Sequence, residues 1–241
     1  MTVEFFQKKI EMLRSEIEQI ENEIKSYLSL GIDYDFDAAY LLLYSDNFDL
    51  FICKYSLGSS MFDLELQFSS VISSLNLYVK NRPTNNPVDY IGRLGVAKYT
   101  EALFLTSIAL LLKIKDAEFE YLIKLLNIKG RDALYDRLIS SRVQLEKISN
   151  KINYPETYNG LLSAMDAPKQ EQPLLARIFL KNWYKSMRNA PWYDLHKKSG
   201  GFTGYWAWEV AGVAYASNID DSSFMDMPFY PKDLANFARD Q

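Results

Sequence analysis

Phe6, Ile10, Leu13, Ile17, Ile20, Ile24 and Tyr27 follow one another in steps of four and three. That spacing is the seam of a heptad helix, with charged residues filling the positions between. It commits the first thirty or so residues to one long amphipathic helix, and its short span predicts a helix lying along the body rather than an extended coiled coil. Gly31 is placed to end it.

The rest of the chain follows the same period. A second apolar segment runs from Phe36 to Leu57, with an interruption expected at SDNFD, residues 45–49. Ser60 stands three residues before Asp63, a capping-box spacing, ahead of the stripe Leu64, Phe68, Val71, Ile72 and Leu75. NRPTNNPV, residues 81–88, is the strongest linker signal. Helices are further expected over 89–113, 116–126 (with Gly130 ending the turn after it), 131–149 and 176–188. Residues 191–203 read as a loop, and GYWAWEVAGVAYAS as a closing helix of small residues. No segment alternates as an exposed strand would, and only 8 prolines and 10 glycines punctuate 241 residues. The fold class is all-α: a multi-helix bundle of antiparallel helices in a single compact unit. An N-terminal module over 1–88 and a C-terminal module over 89–241 are expected to form one continuous fold.

Charge narrows the function. A net charge of −4 is unlike a general nucleic-acid-binding protein. The mild total hides two acidic segments: Asp33, Asp35, Asp37, Asp46, Asp49, Asp63 and Glu65 against Lys54 alone, and six acids against Lys232 and Arg239 after residue 200. Clustered carboxylates attract a basic partner, and the natural basic partners are proteins that themselves bind nucleic acid. The longest apolar run, Ala102 to Leu112, is too short for a membrane span, and the N-terminus lacks the pattern of a signal peptide. With one cysteine, Cys53, a cytoplasmic location is expected.

Catalytic chemistry finds little support in the residues. His196 is the sole histidine, which removes His-rich metal sites, and Asp220–Asp221 are adjacent, so their side chains diverge on regular backbone. No phosphate-binding glycine loop is present. Neither a metal nor another cofactor is expected, and no catalytic residue is assigned. Glu209, in an apolar helix beside Trp208, must be paired, hydrogen-bonded or neutral if buried. An enzyme using Glu209 and Asp220 would require the two carboxylates to converge in an open cleft. A helical adaptor or oligomeric scaffold would leave the N-terminal seam exposed or bury it between chains.

Three blocks carry a family resemblance: FICKYSLGSSMFDLELQF (51–68), DYIGRLGVAKYTEALFLTSIALLLKIKDAEFEYLIKLLNIKGRDALYDRLI (89–139) and WYDLHKKSGGFTGYWAWEVAGVAYASNIDDSSFMDMPFYPKDL (192–234). They resemble the immunity proteins of polymorphic nuclease toxins, the PoNi-like family with paired N- and C-terminal modules. The resemblance implies a cytoplasmic antitoxin that binds a cognate secreted DNase toxin and blocks it, without contacting nucleic acid or membrane itself. Joined to the charge reading, it predicts an acidic surface over the toxin's DNA-binding or active-site cleft. Asp33, Asp35, Asp37, Asp46, Asp49 and Asp226 are the candidate toxin-binding residues. The shared motif is read as scaffold: Tyr205, Trp206, Trp208 and Glu209 as core, Asp220 to Ser223 as caps, and Tyr230 and Pro231 as the turn into the last helix. A homodimer is compatible with all of this.

Overall fold

The computed structural model describes residues 2–31, 34–82, 88–91, 95–198 and 201–240, and all regular structure among them is helical. The described chain divides into two compact units, Met1–Val88 and Asp89–Gln241.

Unit 1 is built from α1 (Val3–Leu30), α2 (Phe36–Leu57) and α3 (Met61–Asn81). Thr2 caps α1 by accepting the Phe5 N–H at 3.3 Å, and Gly31 closes it in the left-handed region at φ 63°. The seam is turned inward: Phe6, Ile10, Leu13 and Ile24 are buried, and Ile17, Ile20 and Tyr27 are half-buried. Both α1 and α3 pack along α2, which is therefore apolar on most of its circumference. Phe51 meets Phe68 at 5.5 Å, and Tyr44 stacks on Tyr78 at 6.2 Å.

The interruption expected at 45–49 is absent, because α2 continues unbroken through it. Asn47 is accommodated by bonding back to the Leu43 carbonyl at 2.8 Å, while its side-chain oxygen accepts from Gln67 Nε2 at 3.1 Å. Lys54 completes the chain by donating to Gln67 Oε1 at 3.0 Å. A polar residue whose groups are all engaged does not break a helix. Ser60 caps α3 as its spacing predicts, accepting the Asp63 N–H at 3.1 Å.

Unit 2 is organised around α4 (Gly95–Leu111), where Tyr99, Thr100 and every residue from Ala102 to Leu111 are buried. The helix expected over 89–113 thus has its described start at Gly95. α5 (Asp116–Leu126) follows, ended by Asn127 in the left-handed region at φ 51° rather than by Gly130. Next comes α6 (Ala133–Ile139), which replaces the longer helix expected over 131–149. Ser140 and Ser141 end it, their hydroxyls donating to the Arg137 and Leu138 carbonyls at 2.7 and 3.1 Å. Beyond it the chain turns back onto α6, with Lys151 O accepting the Ala133 N–H at 2.7 Å.

α7 (Pro155–Asp166) and α8 (Gln172–Ser186) pack as a pair, and α9 (Trp208–Ala216) lies against α4; α10 (Lys232–Asp240) touches both α4 and α9. The closing helix is shorter than GYWAWEVAGVAYAS suggests, since Tyr205 and Trp206 precede it. Gly212 sets the α4–α9 distance. A Cβ there would lie 2.3 Å from Ser107 Oγ and 2.9 Å from Ser107 Cα. Gly212→Ala is therefore expected to destabilise unit 2 by about 1–3 kcal/mol, outweighing a helix-propensity gain of about 1 kcal/mol. Urea unfolding of the variant checks this, and a rise in stability would show that α9 can slide.

Candidate functional site

The family-like segment of unit 2 is a set of enclosed polar contacts. Glu209, in the first turn of α9, is fully buried, and its Oε1 accepts the Trp183 Nε1–H from α8 at 2.7 Å. Its Oε2 is also buried and has no hydrogen-bond partner. Burial pushes the carboxyl up to about 8, against the lowering effect of the Trp183 N–H. Burial therefore favours the protonated form of Glu209, whose Oε1 is held by the Trp183 indole. Trp208 beside it is buried, and Trp206 tilts against it at 6.1 Å.

Asp220 and Asp221 have different jobs. Asp220 accepts the Ser222 N–H at 3.0 Å, a local turn contact at the surface. Asp221 points inward as a buried acceptor instead of a cap, taking the Tyr230 hydroxyl and Arg239 Nη1 at 2.5 Å each. It ties the 220–230 turn to α10. Pro231 stands just before α10, its carbonyl accepting the Ala235 N–H at 3.0 Å. Tyr205 lies outside the core proper, its hydroxyl 2.9 Å from His196 Nδ1. Glu209 and Asp220 therefore do not share a cleft: one is enclosed against Trp183, the other sits at the surface.

Two further carboxylates had no signal in the sequence beyond ordinary N-cap spacing. Asp132 is fully buried and accepts from Tyr99 Oη at 2.6 Å, Tyr135 N at 2.9 Å and Asn153 N at 2.9 Å. Asp136, likewise buried, accepts from Gly130 N and Ser149 N at 2.8 Å each. Both hold the irregular stretch after α6 in place.

The candidate toxin-binding aspartates are dispersed in role. Asp33 lies outside the described residues. Asp35 is exposed but serves as the α2 N-cap, accepting the Ala38 N–H at 3.1 Å. Asp37 pairs with Arg82 at 2.6 Å. Asp46 is half-buried; burial raises its carboxyl, Glu16 adds to the rise, and Lys9 opposes it. Asp49 sits beside Cys53, whose thiol is pushed up to about 12 by burial first and Asp49 second. Asp226, in unit 2, is exposed and paired with Lys232 at 2.6 Å.

The charge nonetheless divides sharply. Residues 1–88 carry 13 acids and 7 bases, whereas residues 89–241 carry 18 acids and 20 bases. The acidity of the protein is a property of unit 1, whose exposed acids include Glu11, Glu18 and Glu21 on α1 and Asp63 on α3. In unit 2 an open cleft of about 1220 Å³ is bordered by four lysines, Lys124, Lys129, Lys147 and Lys151, and by two acids, Glu120 and Glu146. Among the described residues no group of three or more His, Cys, Asp or Glu side chains is placed to hold a metal, and no helix is long and apolar enough to cross a membrane.

Residues 1–124 match the family described as PoNe immunity protein (PoNi), N-terminal, and residues 130–234 match PoNe immunity proteins (PoNi), C-terminal. No curated protein matches the sequence. Among solved structures, the fold is similar to the crystal structure of protein PA2201 from Pseudomonas aeruginosa. The TM-score is 0.77 at 16% identity, covering 100% of this chain and 89% of that one.

Proposed function

The chain belongs to the PoNe immunity protein family, and from that premise we propose that it binds a cognate PoNe-type nuclease toxin and blocks it, the acidic unit covering the toxin's DNA-binding or active-site cleft. The observation that carries the mechanism is the charge division, 13 acids to 7 bases in residues 1–88. A cleft built to hold DNA is basic, and carboxylates can stand where phosphates would. The protein acts by occupancy, without catalysis, in the cytoplasm and without touching nucleic acid itself. The enclosure of Glu209 against Trp183 supports a structural role for the one carboxylate an enzyme reading would need. The inward turn of the α1 seam argues against an adaptor that docks through it.

The test is a DNA-cleavage titration with the nuclease domain encoded beside this gene. Loss of cleavage at one equivalent is expected, with weaker inhibition at high salt. The variants should avoid Asp35, Asp37 and Asp46, where a charge change also disturbs a cap, an ion pair or a packed helix face. Glu11→Lys with Glu18→Lys is the clean choice, expected to slow association by roughly threefold to tenfold while leaving stability unchanged. Stable binding with intact cleavage rejects the blockade. Inhibition indifferent to salt and to both reversals rejects the acidic surface alone.

A further inference from the structure

The outward face of α3 carries a line of apolar residues and serines, and its serines and Leu77 border the same groove as Arg14, Glu18 and Glu21 of α1. Phe62, Leu66 and Leu77 are 67%, 56% and 38% exposed, three large apolar side chains on one helix. They fall on one helical line with the exposed Ser69, Ser70 and Ser73, at steps of three and four residues. None of the positions on that line is itself charged, and the exposed Asp63 flanks it beside Phe62. The serines make few demands on water: Ser73 Oγ donates to the Ser69 carbonyl at 2.8 Å and Ser70 Oγ to the Leu66 carbonyl at 3.4 Å. With their hydroxyls bonded back to the helix, they offer a small, satisfied surface that can be covered at low desolvation cost.

The spacing of these positions is symmetric about the Ser69–Ser70 step, with serines in the middle and a large apolar residue at each end. We propose that this face is a self-association surface, on which a second copy of the chain packs its own α3 antiparallel across a two-fold axis. Phe62 of each copy then meets Leu77 of the other, Leu66 meets Ser73, and the serines at the crossing let the two backbones approach. A two-fold contact requires such self-complementarity. Charge agrees with the antiparallel sense: α3 has Asp63 in its first turn and Lys80 in its last, so each Lys80 comes to the acidic end of the opposite helix. A parallel pairing would stack like charges. The stripe spans about 22 Å of helix, small beside the roughly 800 Å² per partner of a standard interface. The dimer is therefore weak, with a dissociation constant on the order of 1–100 μM.

The inference goes beyond toxin binding and is tested on the purified full-length protein alone, so its failure leaves the inhibitor reading untouched. Sedimentation velocity across that concentration range is expected to show a monomer–dimer equilibrium. Leu66→Glu should weaken it at least tenfold without shifting thermal unfolding, since Leu66 is exposed. As a second readout, Ser70→Cys should crosslink on oxidation with diamide much faster than Gln7→Cys on the exposed side of α1; native Cys53 is buried. A monomer at every concentration, with Ser70→Cys oxidising no faster than Gln7→Cys, overturns the proposal. So does a monomer in which Leu66→Glu abolishes toxin binding, because that assigns the face to the toxin.

Discussion

Leu13→Asp is expected to unfold residues 3–81 rather than to separate one chain from another. Leu13 is 1% exposed in the middle of the α1 seam, which packs on α2 of the same chain. Truncating a buried leucine costs about 2–5 kcal/mol, and the new carboxyl adds the penalty of an unpaired charge in an apolar contact. Together these approach or exceed the 5–15 kcal/mol that holds a typical domain folded. Because α1, α2 and α3 hold 28, 22 and 21 helical residues, their loss should remove nearly half of the far-ultraviolet helical signal. Leu13→Met, of similar volume, should cost less than about 1.5 kcal/mol. Circular dichroism with light scattering decides the matter. Retained helicity in a smaller particle would place the seam between chains and revive the adaptor reading.

The second large effect is a pH dependence written by Glu209. Its carboxyl sits at about 8 in the fold, against 4.5 for an unperturbed glutamate, because burial disfavours the charged form. The folded state thus holds a proton that the unfolded chain releases above pH 4.5. The stabilising contribution is complete below the unfolded value, declines as pH rises, and is gone above about 8. Between pH 5 and 9 the loss is on the order of a few kcal/mol. Glu209→Gln keeps an oxygen for the Trp183 N–H but has no proton to lose. The stability difference between variant and wild type, from urea unfolding at pH 5 and pH 9, is therefore expected to shift in favour of the variant at pH 9. Parallel pH profiles would mean that the carboxyl is ionised in the fold and compensated by a nearby donor.

The fates of the acidic residues explain why the roles of single carboxylates were less legible than the scaffold. From the sequence, Asp35, Asp37, Asp46 and Asp49 look alike: four carboxylates within fifteen residues of one acidic segment. In the fold they become a helix cap, an ion-pair partner of Arg82, a half-buried neighbour of Glu16 and a neighbour of Cys53. Asp220 and Asp221 diverge in the same way, one serving its own turn and the other reaching Arg239. The role of a carboxylate is set by its nearest cation or N–H and by its distance from water, and those come from segments far away in the chain.

Most of the helices were legible in the sequence, because their signals are local. The seam of α1, the Gly31 stop and the Ser60 cap each act within a turn or two, and each forms as its spacing requires. Local signals failed where a distant partner supplied the missing bond: Gln67 let α2 run through Asn47, and Asp136 gathered residue 130 before α6 and residue 149 after it. Packing between distant segments encloses Glu209 against Trp183, brings Gly212 against Ser107, and leaves Phe62, Leu66 and Leu77 facing water. Burial is a property of what packs across from a residue, and periodicity names the face without naming what covers it.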